Sequence, residues 1–532
     1  MNATEREYCV TKLTAPTTAK TASQLFEQIE RARGLGAEAI EVRLDYLTEP
    51  VDYAGVLAAA GMPVIWTNRH VSEGGACEKP EAARVKELID ALRAGGDCID
   101  MEYRRWSADP ELRWKLTEAL AEVRAGGRDV RLVLSYHDFA GVPDDLEQTA
   151  ERMEREGDVV KFAVTARDVF DNFRVFKVMR ECRKPVIGLA MGPHGQISRI
   201  LAKKLGGEIT FASIEAAAAS APGQLTVAQM RETYNWDRIG NDTKVLGVVG
   251  HPVEHSLSPP MHNAAYRAMG FDGLYLRFCV SAEYEAFARF VDLVRDTENL
   301  DIIGLSVTIP HKANAIRYLQ EHGGRIDPLA EKIGAVNTLV FHLDGSAAGY
   351  NTDYLGVLAA LELEGGLGSQ SLAGKRVAVL GAGGVSRAIV AAMTSSGAEV
   401  TVFNRTAEKA QSLADEFDCR AELWDRREQL RAEVLINGTS IGMWPRSDES
   451  PIDPLALRPE MVVFDTVYNP LWTKLLTAAQ QGGAKAVDGA SMLVYQAVEQ
   501  IRLWTQAAGS PCAEVPVAVM RDVVLRHLKG NG

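Results

Sequence analysis

The sequence predicts an α/β protein in two parts: a (β/α)8 barrel, then a two-lobed α/β module whose second lobe is a dinucleotide-binding Rossmann fold. Three observations carry this expectation. Eight short β-rich runs alternate with helical stretches over roughly the first 235 residues, the rhythm of parallel β/α units at close to the usual barrel length of about 250 residues. A strand, a glycine turn and a helix follow one another at 376–396. Between these two regions, 237–243 is polar and glycine-bearing, with apolar runs on either side, and reads as a boundary. The expected domains are therefore 1–238, 240–355 and 356–489.

A chain of 532 residues has room for two to four domains, and 46% hydrophobic with 24% charged residues is ordinary for a soluble globular protein. The net charge of -13 argues against a nucleic-acid or anionic-membrane surface, because phosphate is repelled on average. The seven cysteines (Cys9, Cys77, Cys98, Cys182, Cys279, Cys419, Cys512) are scattered without CxxC spacing, so neither a disulfide framework nor a metal site is expected. The first nine residues carry Glu5 and Glu7 and no apolar h-region, and no run is long enough to span a bilayer; the expected location is the cytoplasm.

The barrel strands are read at 8–13, 39–44, 63–69, 98–103, 131–137, 159–164, 185–191 and 209–214. Helical composition fills the gaps, for example at 80–94, 110–125 and 168–182. Barrel chemistry collects at the C-terminal strand ends and the loops that follow, and the unusual polar residues fall there. Glu41 and Arg43 share one parity near the end of the second strand, and Arg69 closes the third, with Glu73 just beyond it. His137 ends the fifth strand and Lys161 lies within the sixth. Arg199 follows the seventh, and Ser220 and Gln224 follow the eighth. A lysine flanked by Val159, Val160, Phe162 and Ala163 is poorly hydrated, which disfavours the ammonium and suits imine formation. The alternative is a barrel lysine paired with Glu41 or Glu102, and His137 taken alone is equally a core histidine.

In the second part, 245–250 reads as a strand leading to Ser256 and Ser258, two hydroxyls able to face one ligand or simply to turn and cap the chain. A strand from 302 closes on Pro310, with Lys312 just beyond, and the segments 334–338 and 349–353 end in amide, hydroxyl and carboxylate groups, among them Asn337 and Asp353. The strand 376–380 then opens the turn Gly381, Ala382, Gly383, Gly384, Val385, Ser386, and a helix to 396 and a strand at 399–403 follow. Backbone N–H groups and the helix dipole at such a turn receive a pyrophosphate, unless it is a plain βα turn. Ser386 stands at the third glycine position. Where an NAD site carries an acid, this chain has Asn404, Arg405 and Thr406; arginine suits a 2′-phosphate, so NADP is the expected cofactor.

On these residues, 5–236 resembles type I 3-dehydroquinate dehydratase, through the motifs at 41–43, 135–139 and 220–224 and the lysine of the sixth strand. The stretch 243–530 resembles shikimate dehydrogenase. The first resemblance implies that Lys161 forms a Schiff base with the C3 ketone of 3-dehydroquinate. His137 then removes the C2 proton and returns it to the departing hydroxyl, oriented by Glu73. It also implies that Arg43, Arg69, Arg199, Glu41, Ser220 and Gln224 hold the substrate, with Thr11 at the place of a family serine and with Asp100 and Glu102 structural. The second implies a shikimate pocket of Ser256, Ser258, Thr308, Lys312, Asn337, Asp353 and Gln496, edged by Tyr468, in which Lys312 and Asp353 are the catalytic pair. Thr439, Met443 and Gly489 belong to its cofactor side, and the last helices, 491–508 and 515–528, return to the substrate lobe.

The two activities are consecutive in the shikimate pathway, so 3-dehydroshikimate made by the first half is reduced to shikimate by the second. The expected partners are these small molecules, with no nucleic acid and no membrane; the oligomeric state is not legible. Two other readings stay open: an NAD-linked quinate dehydrogenase as the second half, against which Arg405 and the serine pair speak, and a non-catalytic regulator, against which the presence of Lys161, His137, Lys312 and Asp353 speaks.

Overall fold

The computed structural model describes residues 11–218, 221 and 223–530. The chain divides into two compact units, one running to Thr243 with Leu293–Asp301, the other comprising Lys244–Asp292 and the chain from Ile302 onward.

The first unit is built on β1 (Lys12–Pro16), β2 (Ala39–Arg43), β3 (Val64–Thr67), β4 (Cys98–Glu102), β5 (Arg131–Asp138), β6 (Val159–Thr165), β7 (Val186–Met191) and β8 (Ile209–Phe211). They form one parallel sheet in the order β7-β6-β5-β4-β3-β2-β1-β8. The seam is bridged by Glu208 N donating to Val186 O at 2.8 Å, which brings the barrel close to closure. Helices cover the outside because their sequences are amphipathic and capped. In Pro110–Ala125, Asp109 caps the first turn, proline takes the position that needs no donor, and Leu112, Leu116, Leu120 and Val123 turn inward.

All eight expected strands are present, with shifted ends. The first lies at Lys12–Pro16 rather than 8–13, of which residues 8–10 fall outside the described residues; the last stops at Phe211.

The second unit has two sheets. The first contains β9 (Lys244–Gly250), β10 (Gly273–Cys279), β11 (Ile302–Val307), β12 (Arg325–Ile326), β13 (Thr338–Phe341) and β14 (Ala347–Tyr350), ordered β10-β9-β11-β13-β14-β12 with β13 antiparallel to both neighbours. The second contains β15 (Arg376–Leu380), β16 (Glu399–Asn404), β17 (Arg420–Leu423), β18 (Val434–Asn437), β19 (Val462–Asp465) and β20 (Lys485–Val487), all parallel in the order β17-β16-β15-β18-β19-β20, the doubly wound Rossmann order. The last two helices, Gly489–Ala507 and Val517–Gly530, pack on the first of these sheets: Ala497, Ile501, Trp504 and Met520 share a core with Leu246, Tyr275 and Ile303. Trp504 lies so close to Gly304 that a Cβ there would stand 2.0 Å from Nε1, so the strand needs glycine at that point. Among the described residues, no helix is long and apolar enough to cross a membrane.

Candidate active sites

Inside the barrel, each strand changes character as it climbs. Residues of one parity go from Cys98 to Asp100 and Glu102 on β4, from Val133 to Ser135 and His137 on β5, and from Val159 to Lys161 on β6. The lower residues fill an apolar plug with Ile65, Ile187, Ile209 and Phe211. The upper ones put charge where the loops close over it.

Lys161 is buried, and its Nζ lies 2.8 Å from Asp100 Oδ2, 3.2 Å from Glu41 Oε1 and 4.4 Å from the centre of the Phe211 ring. The lysine is buried, as expected, and makes the Glu41 contact weighed as the alternative, while its second carboxylate is Asp100, which was expected to be structural, and not Glu102. Glu102 instead pairs with Arg84 at 2.8 Å and accepts His70 N at 2.8 Å. Glu73 Oε2 meets His137 Nδ1 at 3.2 Å, so the histidine is held by a carboxylate. Burial pushes Glu73 up to about 7. Burial, joined by the nearby Arg69 and Lys161 charges, drives His137 well below its usual value, so it is a neutral imidazole near neutral pH.

The three arginines differ in their partners. Arg43 is clamped by Asp45 through two bonds of 2.8 and 2.7 Å. Arg69 binds Asp100 at 2.7 Å and donates to Ser135 Oγ at 2.6 Å. Arg199 is only 2% exposed, its Nε has no partner, and its Nη1 reaches only Phe211 O at 3.4 Å. Burial alone pulls its pKa down to about 10, with no carboxylate in opposition among the described residues.

Thr11 is a correction. It stands at the N-terminal end of β1 and donates to Gly207 O at 2.5 Å, whereas the polar rim is at the opposite strand ends. The rim hydroxyl near β1 is Thr17, which accepts from Arg43 N at 3.1 Å. Misplacing the first strand toward the N-terminus hid it. Ser220 lies outside the described residues; Gln224 follows it, half-buried, with its N donating to Ala221 O at 3.3 Å. Asp100 was readable from parity alone, since an acid in register with inward-facing Cys98 and Glu102 must also face the interior.

In the second unit, Lys312 opens the helix Lys312–Glu321 and Asp353 opens Asp353–Leu363, and their side chains meet at 2.5 Å. Val336 N donating to Lys312 O, and Asn337 N to Tyr350 O, each 3.0 Å, tie the two loops together. Asn337 Nδ2 donates to Thr352 Oγ1 at 3.0 Å, and that hydroxyl reaches Gln496 Oε1 at 3.4 Å. Ser258 N donates to Ser256 Oγ at 3.2 Å. Thr308 lies half-buried past β11, and Tyr468 is half-buried at the edge of the core formed by the last helices. Sequence reading missed the layer beneath: Tyr275 OH to Ser306 Oγ at 2.5 Å, Ser306 to Gln500 at 2.8 Å, and Gln500 to Thr338 at 2.9 Å. Gln500 is one turn beyond Gln496, and that spacing was the available signal.

The glycine turn between β15 and the helix Gly384–Ser395 needs glycine at 381, where φ is +106°. Gly383 and Gly384 are exposed and Ala382 and Val385 half-buried, so the helix N-terminus is open to a pyrophosphate. Ser386 is fully buried, with Oγ donating to Gly438 O at 3.3 Å, which fixes the turn against the next loop. In that loop Thr439 Oγ1 is committed to Asn437 Oδ1 at 2.7 Å, and Met443 is 46% exposed. Gly489 packs on the carbonyls of Thr466 and Val467. Past β16, Arg405 is exposed, Asn404 Nδ2 donates to Thr406 O at 2.9 Å, and Thr406 precedes the helix Ala407–Glu416.

Three family models match the chain. The family model described as type I 3-dehydroquinase matches residues 13–241, that of the shikimate dehydrogenase substrate binding domain 248–339, and that of shikimate / quinate 5-dehydrogenase 366–441. The chain is 36% identical over 512 residues to the chloroplastic bifunctional 3-dehydroquinate dehydratase/shikimate dehydrogenase of Arabidopsis thaliana, covering 92% of this chain and 81% of the relative. It is 40% identical over 300 residues to the NADP(+) shikimate dehydrogenase of Methanopyrus kandleri, 54% of this chain and 97% of the relative. A solved shikimate 5-dehydrogenase of Thermus thermophilus, in complex with NADP(H) and shikimate, matches with a TM-score of 0.47 at 35% identity, covering 53% of this chain and 99% of its own.

Proposed function

Because the chain belongs to the bifunctional 3-dehydroquinate dehydratase/shikimate dehydrogenase family, its two activities are the dehydration of 3-dehydroquinate and the NADP-dependent reduction of 3-dehydroshikimate, and we propose the following assignment of residues to them. Lys161 attacks the C3 ketone and becomes the iminium, which draws electrons from C2. His137, neutral and held by Glu73, takes the C2 proton and delivers it to the leaving hydroxyl. Arg199 receives the substrate carboxylate. The observation that carries the barrel assignment is this contrast among arginines: Arg43 and Arg69 already hold carboxylates, while buried Arg199 does not. Glu41, Gln224 and Thr17 meet the hydroxyls, and Ser220 is placed with them from sequence alone.

In the second unit, Ser256, Ser258, Thr308, Asn337 and Gln496 bind the substrate, with Tyr468 at the edge. Lys312, held by Asp353, moves a proton to and from the C3 oxygen. The open helix N-terminus at 383–385 and the exposed Arg405 fit a dinucleotide carrying a 2′-phosphate. NADPH would supply the hydride when bound, leaving as NADP+, while the residues of the turn at 381–386 and Arg405 would hold it.

The test is purified protein given 3-dehydroquinate and NADPH, followed by enone absorbance and NADPH loss. Both signals are expected, and their joint absence overturns the assignment. The domain limits 1–238, 240–355 with 490–532, and 356–489 remain part of the proposal. Fragments 1–238 and 240–532 should each turn over their own substrate, and a folded but inactive fragment would contradict these limits. A cytoplasmic location is proposed on the seven scattered cysteines, which suit a reducing compartment, with cell fractionation as its check.

A further inference from the structure

We propose that Asp100 is a catalytic residue of the dehydratase: the counter-ion that keeps the single N–H of the Lys161 iminium while Glu41 lets go. The inference rests on the imine reading above and deepens it. Imine formation changes the number of protons on nitrogen. An ammonium and a ketone give an iminium and water. The N–C bond forms, the C–O bond breaks, two of the three N–H protons leave with the oxygen as water, and one N–H remains. Lys161 Nζ meets two carboxylate oxygens before the reaction, Asp100 Oδ2 at 2.8 Å and Glu41 Oε1 at 3.2 Å, so after it one of them must lose its bond.

The surroundings decide which. The two oxygens of Asp100 divide their work: Oδ1 takes Arg69 Nη2 at 2.7 Å and Ser135 Oγ at 2.6 Å, leaving Oδ2 to Lys161. The carboxylate is therefore anchored whatever happens at the lysine. Glu41 serves Lys161 with the same oxygen that accepts Thr67 Oγ1 at 2.9 Å, and the contact is the longer one. It is the acceptor that can be released to a substrate hydroxyl. Burial opposes the Asp100 charge, but Arg69 and Lys161 outweigh it and hold the group ionised well below the usual carboxylate range. Asp100 has register neighbours on both sides of the sheet, Thr67 on β3 and Val133 on β5, so its backbone is fixed as well. An anion positioned against a developing cation before the reaction costs no reorganisation during it.

The experiment is borohydride trapping with 3-dehydroquinate, with the labelled residue located by mass spectrometry, on the full chain, its Asp100→Asn variant and its Glu41→Gln variant. The parent is expected to be labelled at Lys161. Asp100→Asn should slow trapping and lower kcat together by roughly a hundredfold, with KM changed by no more than about threefold. Glu41→Gln should do the opposite, raising KM with trapping nearly intact. Far-UV circular dichroism and thermal unfolding, compared with the parent, report whether the barrel of each variant is folded. Parent protein labelled at a different lysine overturns the imine reading and this inference with it. Parent labelled at Lys161 and Asp100→Asn trapped as fast overturns the counter-ion role alone. Should Asp100→Asn fail to fold, Ser135→Ala removes one anchor of Oδ1 and should slow trapping severalfold; unchanged trapping there also overturns the proposal.

Discussion

The two lysines at the centres of the two halves are both paired with carboxylates, yet they are built for different work. Lys161 comes from the middle of a strand, is held by two acids and lies over an aromatic ring, with its side chain 6% exposed. Lys312 comes from the first turn of a helix, meets one acid at 2.5 Å that also opens a helix, and is 13% exposed at the side chain. A cation is unfavourable at a helix N-terminus and a carboxylate favourable, so Asp353 is what holds Lys312 in place. A residue that forms a covalent bond needs a fixed nitrogen in a closed setting. A residue that passes a proton to an alkoxide needs a partner to steady its charge and an open face toward the substrate.

The sharpest way to break this contrast is reciprocal substitution. Lys161→Ala should reduce dehydration by about 10⁴-fold or more while leaving reduction of added 3-dehydroshikimate intact. Lys312→Met should lower that reduction by roughly 10³-fold and leave dehydration alone. Separate assays of each half decide it, and a crossed loss in either variant would mean the sites are not independent. A smaller effect is expected at the cofactor. Arg405→Ser should raise KM for NADPH about 10-fold or more relative to that for NADH, the loss of one charge-assisted contact. Equal change for both would make Arg405 structural.

The smallest effect is on pH, and it belongs to the barrel alone. Only ionised Glu73 steadies the charge that develops on His137, and burial places its pKa at about 7, so dehydration should rise through that pH. His137, neutral over this range, adds no limb of its own. Glu73→Gln should remove the limb without touching the pH profile of reduction. The sign for stability is the reverse. The folded chain holds the Glu73 proton more tightly than the unfolded chain, whose value is near 4.5, so this group makes unfolding easier as pH climbs from about 4.5 to 7. A stability profile with no such decline in the parent relative to Glu73→Gln would contradict the buried placement.

Much of the fold was legible because it is local. Alternating strand and helix composition, the glycine turn and the arginine after β16 each act within a few residues. What was not legible depended on register and on neighbours far apart in the chain. A shift of a few residues in β1 exchanges Thr17 for Thr11, which lies at the opposite end of the barrel. Asp100 was passed over because its importance comes from Lys161, 61 positions away, and from Arg69. Tyr275, Ser306 and Gln500 form a buried line that no spacing in one segment describes.

Arg199 has a consequence outside catalysis. A buried guanidinium whose Nε has no partner among the described residues is a cost to the folded barrel that a bound carboxylate would offset. Ligand and folding are then linked: a carboxylate that binds only the native form at 100 times its Kd adds about 2.7 kcal/mol to the free energy of unfolding. On the proposed role of Arg199, the barrel is expected to be hardiest when substrate is plentiful and most exposed to proteolysis when it is scarce.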